Sequence, residues 1–301
     1  MLLVNSSAIP VSLITTVYNE ASNIESFLDS YAKQSIRPTE FIIVDGGSTD
    51  HTVQLIMNRA SSDPGLNIKL IIDVKCNRRY CSAPIAKGRN IAINHASSDW
   101  IIVTDAGCFL PPNWLSEMYS SICKNEYDVI SGWYEPLNLD YFQSLYASAA
   151  LLKISQINPD TFLPSSRNIA FKKIAWEKVS GYPEITFTAE DTLFDLLLKQ
   201  SGFNFYFNAN SVVFWDCPHS LKEACFKQFR YGEGDGYLLL FPKNAFLGFV
   251  KILIPVGSIL LFCKPKIATL KYLLLLANQL GYLNGILKRF LYEKYTNSFC
   301  K

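Results

Sequence analysis

Blocks of apolar and polar residues along the first fifty positions predict two strands with a helix between them. Val11–Val17 and Glu40–Val44 are apolar, β-branched runs that end abruptly in polar and small residues, and the intervening Ser22–Gln34 has apolar side chains at helical spacing. This order is a βαβ unit, which requires a parallel sheet. Because open α/β sheets bind ligands beyond the carboxyl ends of their strands, the polar ends of both runs predict a ligand site here.

The same patterns continue for most of the chain and predict an α/β protein without internal repeats or a linker before about residue 240. The predicted later elements are a strand at 68–74, a helix at 85–96, a strand from Trp100 that ends in Asp105, a helix opened by Pro111 and Pro112 and running to about Cys123, a strand at 129–133, a helix beginning near Asp191 and a helical run from Ser220.

The two polar loops carry motifs that resemble those of family 2 glycosyltransferases, which have the GT-A fold and use nucleotide-sugar donors. The motifs are Thr16-Val-Tyr18-Asn-Glu20 after the first strand and Val44-Asp45-Gly-Gly-Ser-Thr-Asp50 at the end of the second. The resemblance implies a Rossmann-like, mixed and mostly parallel sheet flanked by helices, with the donor bound by Thr16, Tyr18, Glu20 and Asp45. Neither a G-x-G-x-x-G after the first strand nor a P-loop motif is present, which argues against dinucleotide and P-loop proteins.

The strand ending at Asp105 departs from the family pattern. Such enzymes usually carry Asp-x-Asp here, with carboxylates that hold a divalent cation against the donor diphosphate, whereas this chain has Asp105-Ala-Gly107. A nucleoside diphosphate leaving group builds up negative charge that some cation must neutralise. Asp105 would therefore bind the ribose or act as one ligand of Mg²⁺ or Mn²⁺, and metal dependence stays open. Arg89 matches the family's basic position that reaches the donor nucleotide, and Arg78, Arg79 and Lys87 lie nearby in the sequence.

Glu190-Asp191 matches the family's Glu-Asp motif, whose Asp deprotonates the acceptor hydroxyl. A carboxylate at a helix N-terminus is stabilised in its ionised form, as a general base requires. The alternative for such a residue is a helix cap with no chemical role. We predict that Asp191 is the base, with Glu190 as the alternative base or a neighbour that binds the acceptor.

Three further elements complete the predicted site. Acceptor binding is predicted for Trp133, Arg167 and Asn168, of which the last two lie in Pro164–Phe171. Gln228-Phe-Arg230-Tyr231 resembles the Gln-x-x-Arg-Trp element of processive relatives, one residue shorter and with Tyr for Trp, so Arg230 is predicted to contact the diphosphate as the leaving charge develops.

Charge divides the chain into two parts. The net charge of +2 hides an excess of +8 in residues 242–301 and of −6 in residues 1–241, and the mean hydropathy of +0.12 is high for a soluble enzyme. We predict a catalytic domain at 1–241 and a basic, apolar, helical tail at 242–301 that associates with a membrane. Its apolar stretches, 246–263 and 267–287, approach spanning length but contain Lys, Asn and Pro. Helices lying in the interface, a spanning hairpin, and a cap packed on the catalytic domain or in a dimer remain as alternatives.

The eight cysteines show no C-x-x-C pair, and the first strand leaves no room for a cleaved signal peptide. Reduced cysteines and a location on the cytoplasmic face of a membrane are therefore expected. No nucleic-acid partner is expected.

The predicted activity is inverting transfer of a sugar from a nucleotide-sugar to a hydroxyl or phosphate oxygen of a glycan or lipid-linked acceptor. A sugar-1-phosphate nucleotidyltransferase would need a Gly-rich, basic loop after the first strand, and Thr16–Glu20 is not one. A non-catalytic nucleotide-sugar-binding or scaffold protein is the other alternative, since Asp-Ala-Gly is also what a decayed site would carry.

Overall fold

A computed structural model of the protein describes residues 8–137, 140–253 and 265–299, and these fall into two compact units. Unit 1 comprises residues 8–137, 154–185 and 190–216. Unit 2 comprises residues 140–153, 186–189 and 217–299 of the described chain. The predicted boundary between residues 241 and 242 lies inside unit 2, and as a functional division it stays a prediction.

Eight strands and ten α-helices are described, besides two short 3-10 helices at Pro64–Leu66 and Ile154–Gln156. The strands are β1 (Ile9–Val17), β2 (Pro38–Asp45), β3 (Ile68–Ile72), β4 (Trp100–Thr104), β5 (Cys108–Phe109), β6 (Val129–Pro136), β7 (Asn168–Lys172) and β8 (Phe205–Trp215). The helices are α1 (Ile24–Ala32), α2 (Thr52–Ser62), α3 (Pro84–His95), α4 (Trp114–Ile122), α5 (Tyr141–Ala150), α6 (Lys173–Lys178), α7 (Glu190–Gln200), α8 (Leu221–Leu238), α9 (Pro242–Leu253) and α10 (Pro265–Phe299).

All eight strands belong to unit 1 and form one sheet in the order β3-β2-β1-β4-β7-β6-β8-β5. β1, β2, β3 and β4 are mutually parallel, as is the β6–β8 pair. β7 runs antiparallel to β4 and β6, and β5 antiparallel to β8. The predicted mixed, mostly parallel α/β fold is confirmed.

Several predicted element ends shift by a few residues for local reasons. β3 ends at Ile72 rather than at residue 74 because the Asp73 carboxylate accepts a hydrogen bond from the Lys75 amide, which starts a turn. α4 begins at Trp114, after the two prolines that were predicted to open it. β6 continues past Trp133 to Pro136 because it pairs with β8 over that length.

The core of unit 1 lies where the sheet meets its helices. The side chains of Ile14, Ile42, Val103 and Ile169 come from four different strands and are fully buried in one cluster, together with Phe194 of α7. Since β1, β4 and β7 are central strands, their loops at one edge of the sheet are held in fixed relative positions. That edge carries the site.

Unit 2 is built around close packing of α8 and α10. A methyl group added at Gly232 of α8 would lie 1.9 Å from the Asn278 carbonyl oxygen, and one added at Gly281 of α10 would lie 2.0 Å from that of Phe229. Glycine is therefore required at both positions for the two backbones to approach this closely. Gly236 and Gly285 repeat the arrangement one turn along each helix, and α10 also contacts α5 and α9.

The face of α10 away from these glycines is apolar and exposed. We call it the α10 stripe; its exposed members, with 42–62 % of each residue accessible, are Tyr272, Leu280, Leu283, Leu287 and Phe290. Their spacing of three to four residues places them on one side of the helix within the 280–290 segment. Among the residues that the structure describes, no helix is long and apolar enough to cross a bilayer. The predicted apolar stretch 246–263 falls largely outside the described residues.

Candidate active site

The two motif loops that follow β1 and β2 are bonded to each other. Asn19 accepts a hydrogen bond from the Thr49 amide at 2.8 Å and donates its own amide to the Ser48 hydroxyl, also at 2.8 Å. The Glu20 amide donates to the Thr52 hydroxyl at 2.8 Å. Asn19 has a positive φ of 55°, a conformation that Asn adopts more readily than most residues. The co-occurrence of the two motifs is thus explained by their contacts.

Asp45 closes the turn after β2. It is fully buried, and its carboxylate accepts hydrogen bonds from the Gly47 and Ser48 amides, each at 2.8 Å, and from the Ser48 hydroxyl. These contacts use the carboxylate for the turn itself. The donor-binding role predicted for Asp45 draws no support from them and stays a prediction.

The other three predicted donor residues of the first loop lie nearer the surface. Tyr18 is exposed, and Thr16 and Glu20 are half-buried. Burial raises the pKa of Glu20, against a hydrogen bond from Asn23 that lowers it, and the negative charge of Asp105 adds to the rise. Glu20 follows β1 and Asp105 follows β4, and these two strands pair in parallel, so both groups lie at the same edge of the sheet.

Arg89 joins three elements at this edge. Its guanidinium donates to Glu190 Oε1 and to Asp105 Oδ1, both at 2.9 Å, and lies 5.3 Å from the centre of the Tyr182 ring. Arg89 is 4 % exposed, whereas the Asp105 side chain is 39 % exposed. The structure thus brings together three residues that the sequence predicted for the site, Arg89, Asp105 and Glu190. It shows Arg89 paired with carboxylates, and its predicted contact with the donor nucleotide stays a prediction.

Asn90 and Tyr182, which the sequence analysis did not single out, form the surroundings of this arginine. The Asn90 side chain accepts hydrogen bonds from the Tyr182 amide at 2.8 Å and the Trp176 indole at 3.0 Å, and donates to the Tyr182 carbonyl at 2.9 Å. Gly181, with a φ of +86°, provides the turn that precedes Tyr182. The Tyr182 ring is thereby held beside the Arg89 guanidinium. A Gly-Tyr-Pro turn far along the chain was the available signal, but nothing in the sequence links it to Asn90.

The first turns of α7 carry three acidic side chains in different environments. The pKa of Glu190 is raised to about 7, chiefly by burial and also by the charge of Asp191, while Arg89 acts to lower it. Burial, together with Asp191, raises the pKa of Asp195 well above its ordinary value. Neither carboxyl oxygen of Asp195 has a hydrogen-bond partner within the described part of the chain. The sequence analysis did not single out Asp195, because an acidic residue within a helix gives no sign in the sequence that it is buried.

Asp191 differs from both of these neighbours. It is half-buried, and its carboxylate accepts a hydrogen bond from the Thr192 amide at 2.8 Å in the first turn of α7. A partly accessible carboxylate in the first turn of a helix is placed as a general base requires, and this role stays a prediction.

Arg167 lies on the other side of Asp105. Its Nε is 3.9 Å from Asp105 Oδ2, and its guanidinium lies against two aromatic rings, 4.8 Å from the centre of Tyr134 and 4.6 Å from that of Trp215. The sequence predicted an acceptor-binding role for this residue. The structure places it beside the carboxylate that was predicted to meet the donor.

Trp133 and Asn168 are both buried and hydrogen-bonded to other residues of unit 1. Trp133 is buried, and its indole donates to Glu135. Asn168 is buried, donates to the Trp133 and Ser211 carbonyls and accepts from the Trp114 indole. Both amide hydrogens of Asn168 are used in this way. The predicted acceptor roles of Trp133 and Asn168 draw no support from these contacts.

Arg230 belongs to unit 2. Its guanidinium lies 4.0 Å from the centre of the Phe187 ring, and its carbonyl oxygen accepts a hydrogen bond from the Thr188 hydroxyl. The predicted contact with the diphosphate stays a prediction.

The donor set around Asp105 does not fit a protein-held divalent cation. In the described ranges, no three His, Cys, Asp or Glu side chains are grouped so as to bind a metal ion. Asp105 offers the one carboxylate at this position, and a guanidinium already engages its Oδ1 at 2.9 Å while a second lies 3.9 Å from its Oδ2. Mg²⁺ and Mn²⁺ require oxygen ligands rather than cationic neighbours.

A family model and two relatives of known class all match this chain as a glycosyltransferase. The family model "Glycosyl transferase family 2" matches residues 12–173. Glycosyltransferase AglE of Haloferax volcanii is 24% identical over 76% of this chain and 74% of its own. The O-antigen chain rhamnosyltransferase RfbN of Salmonella typhimurium is 26% identical over 74% of this chain and 71% of its own.

A solved structure supports the fold. The mannosyltransferase PcManGT from Pyrobaculum calidifontis, in complex with GDP-Man and Mn²⁺, superposes with a TM-score of 0.66 at 20% identity, covering 92% of this chain and 88% of its own. At this level of identity the likeness concerns the fold, which is that of a GT-A enzyme.

Proposed function

The chain belongs to glycosyl transferase family 2, and on that premise we propose that this glycosyltransferase moves a sugar from a nucleotide-sugar to an oxygen of a glycan or lipid-linked acceptor. The observation that carries the proposal is the cluster in which Arg89 pairs with both Asp105 and Glu190 beside Asp191. The cluster connects the carboxyl end of a central strand, where donors bind in such sheets, with an acidic helix start. The names of RfbN and PcManGT, which specify a rhamnosyl and a mannosyl transferase, support sugar transfer as the reaction class.

The proposed mechanism is a single displacement. Asp191 removes the proton of the acceptor hydroxyl while the acceptor oxygen attacks the anomeric carbon from the side opposite the diphosphate. Because no enzyme nucleophile intervenes, the configuration at that carbon is inverted. Glu190 and Asp195 are buried, which leaves the half-buried Asp191 as the accessible member of the α7 acids for this role.

On the donor side, Asp105 is proposed to bind the ribose, with Thr16, Tyr18 and Glu20 lining the approach from the first loop. Arg89 holds Asp105 in place. The donor set does not fit a resident Mg²⁺ or Mn²⁺, so no step of the mechanism is assigned to a metal ion.

We further propose that unit 2 binds the surface of an anionic membrane and holds the enzyme on the cytoplasmic face. The support is the α10 stripe together with exposed apolar side chains on α9, Phe246 and Leu247. Nine Lys and Arg against one Glu in residues 242–301 supply the complementary charge for anionic headgroups. A lipid-linked acceptor would fit this location.

The function is tested with a panel of nucleotide-sugars, each assayed for thermal stabilisation and for transfer or slow hydrolysis. We expect stabilisation by at least one donor and turnover of the same donor. Asp191→Asn should keep the stabilisation and lose about 10²–10⁴ in rate, because the amide cannot accept a proton.

Glu25→Gln is the matched control, since Glu25 is an exposed acid in the first turn of another helix, α1. It should transfer sugar at the wild-type rate. Transfer by Asp191→Asn within threefold of wild type would remove Asp191 from the base role. Donor binding without any turnover would favour the non-catalytic alternative.

A further inference from the structure

The chain lacks a second carboxylate after β4, and packing does not explain the loss. Gly107 is exposed, and a methyl group built on it would meet nothing within 4 Å. Its backbone is also outside the left-handed region that favours glycine. An aspartate would fit at this position. The fold therefore does not require glycine here, and the missing carboxylate bears on the chemistry of the site.

The strand register places an arginine beside the remaining carboxylate. The antiparallel β4–β7 ladder ends with the pair Thr104 and Asn168. The next residue on one strand and the preceding one on the other, Asp105 and Arg167, leave the ladder side by side. The distance of 3.9 Å between Arg167 Nε and Asp105 Oδ2 is longer than a hydrogen bond. This carboxylate therefore does not hold the Arg167 guanidinium tightly.

Two aromatic rings restrain that guanidinium. Its distances of 4.8 Å to the Tyr134 ring and 4.6 Å to the Trp215 ring are within the range of cation–π attraction. The Arg167 side chain is 16 % exposed, so it is partly desolvated but still reachable. A restrained, partly desolvated guanidinium binds phosphate oxygens through two parallel N–H groups and loses little side-chain entropy in doing so.

Arg89 cannot supply the same charge. It is deeply buried and makes hydrogen bonds at 2.9 Å to two carboxylates, which compensate its charge. Of the two guanidinium groups that flank Asp105, Arg167 is the more exposed, and it lies farther from the carboxylate, at 3.9 Å against 2.9 Å for Arg89.

We propose that the Arg167 guanidinium binds the diphosphate of the nucleotide-sugar and supplies, at the end of β4, the positive charge that a metal held by a second carboxylate would otherwise provide. The inference rests on the proposed function and specifies which residue neutralises the diphosphate of the donor. As the acceptor oxygen bonds to the anomeric carbon, the bond from that carbon to the diphosphate oxygen breaks. Both electrons of that bond leave with the diphosphate, whose new charge Arg167 stabilises.

The first test measures binding of UDP, GDP and inorganic pyrophosphate by calorimetry in EDTA. The wild-type protein should bind at least one of these without a metal. Arg167→Gln should weaken that binding at least tenfold, and Arg167→Lys should fall between the two because it keeps the charge but loses the planar fork. Lys124→Gln is the matched control, since Lys124 is another cation held on a ring, 4.5 Å from the centre of Tyr206, and it should bind as the wild type does.

The second test exchanges one charge source for the other. Gly107→Asp in the Arg167→Gln background should gain binding of the diphosphate when Mn²⁺ is added, at least tenfold over EDTA. Arg167→Gln alone should change less than twofold with Mn²⁺. Thermal unfolding of each variant checks that it is folded.

Binding by Arg167→Gln within twofold of wild type in EDTA would overturn the role of Arg167. Wild-type binding that disappears in EDTA and returns with Mn²⁺ would also overturn it, and would leave the proposed glycosyl transfer standing. A wild-type protein that binds no diphosphate under either condition and turns over no nucleotide-sugar would overturn the proposed function itself.

Discussion

Single side chains in this site differ in what they contribute, and burial decides the difference. Arg89 is enclosed between two carboxylates, and removing one partner of such a buried pair costs about 3–5 kcal/mol because the other charge is left unpaired. Its replacement would therefore report on folding rather than on donor binding. Asp191 and Arg167 are accessible enough to be substituted for functional tests. Asp195 is buried without a hydrogen-bond partner among the described residues, so its replacement should change how stability depends on pH.

Asp195→Asn should change how stability depends on pH. Below about pH 3.9 the carboxyl is protonated in both states, and above it the unfolded chain ionises while the folded one stays protonated. The wild type therefore loses up to about 1.4 kcal/mol of unfolding free energy per pH unit until the pH reaches the raised folded pKa. The asparagine variant should lose this slope, so its advantage over wild type should be larger at pH 8 than at pH 5.

Urea unfolding at the two pH values measures the effect. Asp63→Asn, which replaces an exposed acid at the end of α2, is the control and should leave the slope unchanged. Burial raises the pKa of Glu190 as well, so some slope up to about pH 7 will persist in Asp195→Asn. Identical slopes in the wild type and the asparagine variant would mean that Asp195 titrates normally.

At the scale of elements, helix packing in unit 2 depends on residues without side chains. Gly232 and Gly236 face α10, and Gly281 and Gly285 face α8, each separated by four residues. In the sequence the first pair follows shortly after the Gln228–Tyr231 motif, and the second pair lies within the apolar stretch 267–287. Their common purpose becomes visible only when the two helices are side by side.

Gly281→Ala should destabilise the protein although alanine is the better helix former by about 1 kcal/mol. The added methyl group would lie 2.0 Å from the Phe229 carbonyl oxygen, so the helices must separate. Overpacking of this kind costs about 1–3 kcal/mol of unfolding free energy, measured with urea. Gly65→Ala is the control, because its methyl group meets only the Asp63 carboxylate at 3.4 Å. Equal effects of the two substitutions would contradict close packing of α8 and α10.

The fold was largely predictable, and the site only in part. Buried strands leave a local trace, since β1, β2 and β4 are apolar runs that end at Val17, Asp45 and Thr104. Side-chain pairs distant in sequence leave none: Arg89 and Glu190 are 101 residues apart. The hydrogen bonds of Asp45, Trp133 and Asn168 were not predictable for the same reason, since a motif gives the residue type but not its partners, and their predicted binding roles stay predictions.

At the scale of the whole molecule, charge and exposed apolar surface are unevenly distributed. Residues 242–301 carry +8, residues 1–241 carry −6, and the α10 stripe is exposed along the basic part. Removing the tail is a poor test of membrane binding, because α10 covers the glycine face of α8. Substitutions on the stripe leave that packing intact.

Full-length protein should bind vesicles that contain phosphatidylglycerol, and Leu283→Glu with Leu287→Glu should weaken that binding at least tenfold. Each leucine contributes about 1.5–3 kcal/mol when it is buried in the interface, and about 1.4 kcal/mol corresponds to a factor of ten. Added salt should weaken the binding further, because headgroup attraction is screened within about 8 Å at physiological ionic strength. Co-sedimentation measures both effects.

Met57→Glu is the control for the vesicle experiment, since Met57 is an exposed apolar residue on α2 of unit 1. It should bind vesicles as the wild type does. Should the stripe variants leave vesicle binding unchanged but convert a dimer to a monomer, the stripe is a contact between two copies of the chain.

Because Arg89 shares one positive charge between Asp105 and Glu190, what binds at one carboxylate alters the proton affinity of the other. The positive charge of Arg89 lowers the pKa of Glu190. A second negative charge beside Asp105 weakens this effect, so it favours protonation of Glu190. By thermodynamic reciprocity, a protonated Glu190 strengthens the hold on that anion by the same factor. Binding of the donor should therefore be accompanied by uptake of protons. Because the buffer supplies these protons, the heat of binding should vary with the ionisation enthalpy of the buffer.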